Sequence, residues 1–254
     1  MSMRRGIQST ILMLSALAFA GVVSAETVDL TTVGSEGEVN GALFLQWDGQ
    51  ATGTGTIDSF VQIGNNTDTV QAYNTTENGT LDNGAPDNFN HELLLTDIPV
   101  VVIDGVEYRE FILDVNQSGS DSFISLDEIQ IFTSGTPNQS AETFTAGIID
   151  LADSTLVYDL DAVEDSYILV DANLNSGSGS GDMLFYVPSS VFATGDEYVY
   201  LYSLFGVNEN NNGGFEEWAI TEGDVQVVVP EPSSLALLGL GLAAAGLRRR
   251  MKRA

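Results

Sequence analysis

The sequence predicts an all-β body folded as a single β-sandwich of the jelly-roll kind. Three observations carry this. Apolar and β-branched residues come in short runs separated by Gly, Asn, Asp and Ser clusters. No window sustains a helical period over three turns. Asp104-Gly105 stands between two apolar runs, a two-residue signal for a tight hairpin.

The candidate strands follow in chain order. Residues 41–47 (GALFLQW), 56–63 (TIDSFVQI) and 69–73 (TVQAY) are the first three, each bounded by Gly, Asn or Thr. Residues 92–95 (ELLL), 100–103 (VVVI) and 106–115 (VEYREFILDV) come next, the last two joined by Asp104-Gly105. Residues 124–132, 156–160, 167–170 and 183–187 continue the pattern with Ile, Val, Phe and Tyr. Residues 198–205 (YVYLYSLF), 215–220 (FEEWAI) and 225–229 (VQVVV) complete it. The run NSGSGSG at 175–181 lies between two strand candidates and reads as a long loop within one domain.

Both ends of the chain carry targeting chemistry. Arg4 and Arg5 precede an apolar stretch, 11–23, and Val23-Ser24-Ala25 offers small residues for cleavage. Residues 1–25 therefore read as a signal peptide, with a cut after Ala25. The body is 26–228. The last 26 residues, 229–254, hold Pro230, Glu231 and Pro232, then a 15-residue apolar run, then Arg248, Arg249, Arg250, Lys252 and Arg253. The prolines stop the preceding strand. The apolar run can enter a bilayer as a helix, and the basic end favours the cytoplasmic side.

This tail resembles the PEP-CTERM sorting signal of Gram-negative bacteria. The resemblance implies export through the inner membrane, temporary anchoring by the tail, and processing by a membrane-embedded exosortase. A role at the cell surface or in an extracellular matrix rich in exopolysaccharide goes with it. A plain membrane anchor is the alternative. Its run would fall short of the roughly 20 residues that span the hydrocarbon core. The stretches 111–116, 120–132, 176–183 and 214–220 are also similar to segments of a group of PEP-CTERM proteins, and no activity comes with that likeness.

Charge narrows the partners. Arg109 is the only base in the body, and Glu231 is the only acid outside it. The body thus has 35 acids against one base, a formal charge of −34. Such a surface repels nucleic acid and anionic lipid, and needs dissolved cations to screen it. The chain has no cysteine, which removes thiol chemistry and disulfides.

Residues 114–128 (DVNQSGSDSFISLDE) are the one stretch with cation-loop chemistry. Oxygen donors at Asp114, Asn116, Asp121 and Glu128 resemble an expanded calcium loop, with Ca2+ as the expected ion. A polar hairpin tip is the alternative. Trp47 and Trp218, with Tyr198, Tyr200 and Tyr202 on one strand face, are candidates for stacking on sugars if exposed, and for core if not. A calcium-dependent carbohydrate-binding module is accordingly the alternative function. Catalysis is not expected. His91 is the only histidine, no GxSxG turn occurs, and acids are too numerous for any pair to stand out.

Overall fold

The computed structural model describes residues 26–221, except 48–56, 66, 77–80, 84–88, 118–120, 141, 146–147 and 176–180. The predicted signal peptide, the strand at 225–229 and the tail helix lie outside the described residues.

Sixteen strands occur among the described residues. The first six are β1 (Glu26–Asp29), β2 (Glu36–Val39), β3 (Ala42–Gln46), β4 (Ile57–Ile63), β5 (Val70–Tyr73) and β6 (Leu93–Leu94). The middle holds β7 (Val100–Ile103), β8 (Val106–Val115), β9 (Phe123–Ser134), β10 (Glu142–Thr145) and β11 (Ile148–Leu151). The last five are β12 (Ser154–Asp159), β13 (Ser166–Asp171), β14 (Met183–Pro188), β15 (Tyr198–Phe205) and β16 (Glu216–Thr221). A single 3-10 turn, Ser189–Phe192, interrupts them, and no α-helix occurs among the described residues.

The strands make two seven-stranded sheets and one small hairpin. The first sheet runs β1-β13-β9-β15-β5, with β12 also paired to β9 and β6 to β15. The second runs β2-β3-β14-β8-β16-β4, with β7 also paired to β8. Among the described residues β1 on β13 is parallel and every other pair is antiparallel. The sandwich predicted from the alternating runs is therefore what forms. Asp104 (φ 52) and Gly105 (φ 81) turn the β7–β8 hairpin. Asn40 (φ 50) and Gly41 (φ 84) turn β2 into β3 in the same way, since both central residues must enter the left-handed region.

The main core lies between the sheets. Phe185 is its centre, with ring centroids 4.9 Å from Phe44, 5.8 Å from Phe111 and 5.8 Å from Trp218. Ile129, Ile131, Leu201 and Phe205 meet these rings from the first sheet. A second apolar layer sits outside that sheet. Tyr73, Phe132, Tyr200 and Tyr202 pack beneath Ile149 and Leu151 of the β10–β11 hairpin. This hairpin explains β9. The strand is buried on both faces from Ile124 to Ser134, where alternation alone would leave one face wet.

Candidate functional site

Two of the four predicted cation donors, Asp114 and Glu128, belong to different sheets. Asp114 is buried in β8, in the second sheet, where it stands opposite Glu217 of β16. Glu128 is in β9, in the first sheet, opposite Leu204 of β15. It lies five residues beyond Phe123, so at about 3.3 Å per residue it is roughly 16 Å along the strand. In a calcium loop the chain curls to bring position 12 back, whereas an extended strand carries it away. Between these two, Asn116 donates through Nδ2 to the Phe215 carbonyl at 3.0 Å, and the exposed Asp121 offers its own carbonyl to Asn212. Asn116 thereby ties the end of β8 to the loop before β16. No group of three or more His, Asp or Glu among the described residues is arranged to hold a metal ion.

The buried acids are set apart by their protons. Glu128 lies next to Asp161 and Asp159, and its Oε1 accepts the Ile129 amide at 2.9 Å. Burial first, and those neighbouring carboxylates second, push its pKa up to about 9. Asp182 is 2% exposed; Val115 N–H donates to its Oδ2 at 2.8 Å while Oδ1 has no hydrogen-bond partner. Burial, with repulsion from Asp114 and Asp171, lifts it to about 8. Glu216 is fully buried and is held by Gln117 at 2.7 Å; burial lifts it to about 8 as well. Glu110 moves in the same direction for the same cause. Glu128, Asp182 and Glu216 keep protons at neutral pH, so the folded body carries less than its formal charge. Sequence counting could not see this, since it treats every acid as solvated.

Arg109, the lone base of the body, does not answer that charge. Its guanidinium donates through one nitrogen to the carbonyls of Leu95 (2.9 Å) and Ile98 (2.6 Å). It pins the segment between β6 and β7 to β8.

The aromatic candidates are mostly spoken for. Trp218 is fully buried, faces Phe185, and donates from Nε1 to Ser203 Oγ at 3.0 Å. It offers no face to a sugar, which corrects its reading as a stacking platform. The period-2 pattern of β16 places it on the inner face with Ile220. Tyr200 and Tyr202 do share one outward face of their sheet. The β10–β11 hairpin covers that face, leaving them 0% and 1% exposed. Their hydroxyls are satisfied, by the Thr136 carbonyl at 2.9 Å and by Gln71 at 2.7 Å. Trp47 is half-buried, and a Cβ at Gly181 would strike its ring, so one ring face is occupied.

One cavity among the described residues has mixed polar and apolar walls. It holds about 280 Å³ and opens where the β4–β16 margin of one sheet meets the β6–β15 margin of the other. Leu93 and Ile220 form buried apolar walls, and the half-buried Tyr198 and exposed Leu94 flank them. Asp58, Glu92, Asp97 and His91 supply the polar part. His91 Nδ1 lies 2.9 Å from the Glu92 carbonyl, which directs its proton to that nitrogen. Among the described residues no Ser or Thr lines the cavity beside His91.

Comparison with known proteins identifies the tail. The PEP-CTERM protein-sorting motif matches residues 228–250, which takes in Pro230, Glu231, Pro232, the apolar run and Arg248–250. No curated protein and no solved structure matches the chain. Among the described residues no helix is long and apolar enough to cross a membrane; the apolar run lies outside them.

Proposed function

We propose that this chain, an exported protein bearing a PEP-CTERM sorting motif for exosortase at residues 228–250, is a non-enzymatic component of the cell envelope or extracellular matrix, associated there with exopolysaccharide. The motif is the observation that carries the reading. An address of this form serves a protein that is exported, held briefly at the membrane by its tail, and then processed. The acidic body supports a place in a hydrated matrix. Its surface charge keeps it soluble and away from anionic lipid.

The calcium-dependent carbohydrate module has less support. Asp114 and Glu128, two of its four proposed cation donors, lie in different sheets, and Trp218 is core. The non-enzymatic matrix body needs neither.

Fractionation tests the matrix role. In a host that makes exopolysaccharide, the processed body is expected in the polysaccharide-containing fraction. In an isogenic strain blocked in polysaccharide synthesis, it is expected free in the medium. An unchanged distribution between the two strains would remove exopolysaccharide as a partner, whatever the fate of the tail.

A further inference from the structure

We infer that the β7–β8 hairpin is a second contact between this chain and exosortase, seated against an apolar strip on the outer face of the enzyme while the tail is held for cutting. The inference rests on the sorting motif at residues 228–250 and adds a part of the body to what the enzyme reads. Strand registers place the hairpin. β16 is the last described strand and ends at Thr221, so the tail leaves the body there. Ala219 stands opposite Ile112 of β8, and the two strands are antiparallel. Thr221 is therefore level with Glu110, and Val106 lies four residues further in the direction in which β16 runs. At about 3.4 Å per residue that is roughly 13 Å. β14 ends at Pro188, opposite Tyr108, and no other described strand pairs with β7. The hairpin thus stands as a two-stranded arm beyond the sheet, beside the point where the tail departs.

The arm is apolar where it is bare. Val102 and Val106 are 52% and 47% exposed, and Val100 is exposed as well. Val101 turns the other way and is buried, so strand alternation would place polar residues at 100 and 102. The unpaired edge of β7 also offers main-chain donors and acceptors to an added strand. The tether selects the occupant. Eleven residues, 222–232, separate Thr221 from the apolar run and span at most about 40 Å. While the enzyme holds the tail, the arm is confined beside it. A contact tethered in this way acts at a high effective concentration, so a small patch suffices. Lipid is the poorer occupant. The arm bears Asp104 and Glu107, and Arg109 at its base is turned to the Leu95 and Ile98 carbonyls, so no base on it draws an anionic headgroup. A second copy is poorer too, because pairing two arms sets two strongly acidic bodies side by side.

Pulse-labelling in a host with exosortase measures the rate at which the tail is removed from the exported chain. Val102→Asp combined with Val106→Asp is expected to slow removal roughly tenfold, since two valines lose their apolar contact. Val102→Thr with Val106→Thr keeps the branched shape that strands favour and should slow it several-fold. Val33→Asp also charges an exposed valine, in the β1–β2 turn beside Gln46, at the end of the sandwich remote from the hairpin. It should be cut at the parent rate. Melting temperatures of the uncut forms, from a host without exosortase, should agree within a few degrees; if the Asp pair melts lower, the Thr pair decides. Equal rates for the parent and the hairpin variants overturn the inference and leave the sorting motif intact. A parent that is never cut overturns the sorting reading and this inference with it. Equal slowing in Val33→Asp overturns it as well, as an effect of added charge anywhere on the body. Binding of the cut parent to phosphatidylethanolamine–phosphatidylglycerol vesicles, lost in the Asp pair, would overturn it in favour of lipid. A parent dimer in sedimentation that the Asp pair abolishes would do so in favour of a second copy.

Discussion

Raising the pH from 5 to 9 is expected to destabilise the body steeply. Glu128, Asp182 and Glu216 hold protons in the folded chain up to about 9, 8 and 8, against ordinary values of 4.5, 3.8 and 4.5. Between the two sets of values the folded state binds more protons than the unfolded one. Stability therefore falls as pH rises through that window, by up to roughly 1.4 kcal/mol per pH unit for each group. Below about pH 4 all three are protonated in both states and contribute no penalty. Above pH 9 the full penalty is present and the dependence flattens. Urea unfolding at pH 5, 7 and 9 measures it. Glu128→Gln keeps an acceptor for the Ile129 amide and removes one titrating group. The variant should match the parent near pH 4 and exceed it increasingly toward pH 9. A parent whose midpoint is constant or rises with pH would show that these acids are already ionised or neutralised by bound cations.

Trp218→Ala is expected to cost about 3–5 kcal/mol, the range for deleting a large aromatic side chain from a packed core. The ring is fully buried against Phe185, and its loss also leaves Ser203 Oγ without that donor inside the sheet. The urea midpoint should fall with little change in slope, since the surface exposed on unfolding is nearly the same. Trp218→Phe should cost less, because most of the volume stays while the indole N–H goes. A loss under about 1 kcal/mol for the alanine variant would mean that the two sheets do not close on this side chain.

The strands were legible where apolar side chains alternate or run on. Residues 106–115 and 198–205 match β8 and β15 end to end, and β9 exceeds 124–132 by one residue at its start and two at its end. The four that were missed share a cause. β1 (ETVD), β2 (EGEV), β10 (ETFT) and β11 (IIDL) are four residues long and mostly diluted with acids, Thr or Gly. Their pairing comes from partners far along the chain or from a turn. For β2 the signal was present in Asn40-Gly41, the same type of turn pair as Asp104-Gly105. The site residues were less legible. Residue spacing placed Asp114 and Glu128 in one loop because that loop template assumes a curled chain. Long strands on either side of residues 116–122 carry them into separate sheets. Tyr198, Tyr200 and Tyr202 were correctly placed on one face. What covers that face is a hairpin more than forty residues earlier in the chain, and local alternation contains nothing about it. The cavity carboxylates come from two segments, Asp58 from β4 and Glu92 and Asp97 from either side of β6, so only the fold gathers them.

The central claim is that residues 228–250 are an address that is read and removed, and intact-mass measurement of the exported protein tests it most directly. In a host with exosortase, the mass should correspond to a chain that starts at Glu26 and ends near Pro230–Ser234. In the same host without exosortase, the C-terminal segment through Arg253 should remain and the protein should stay with the membrane. Mature protein that still carries Arg253 in the presence of exosortase would contradict the account and leave the tail as a plain anchor.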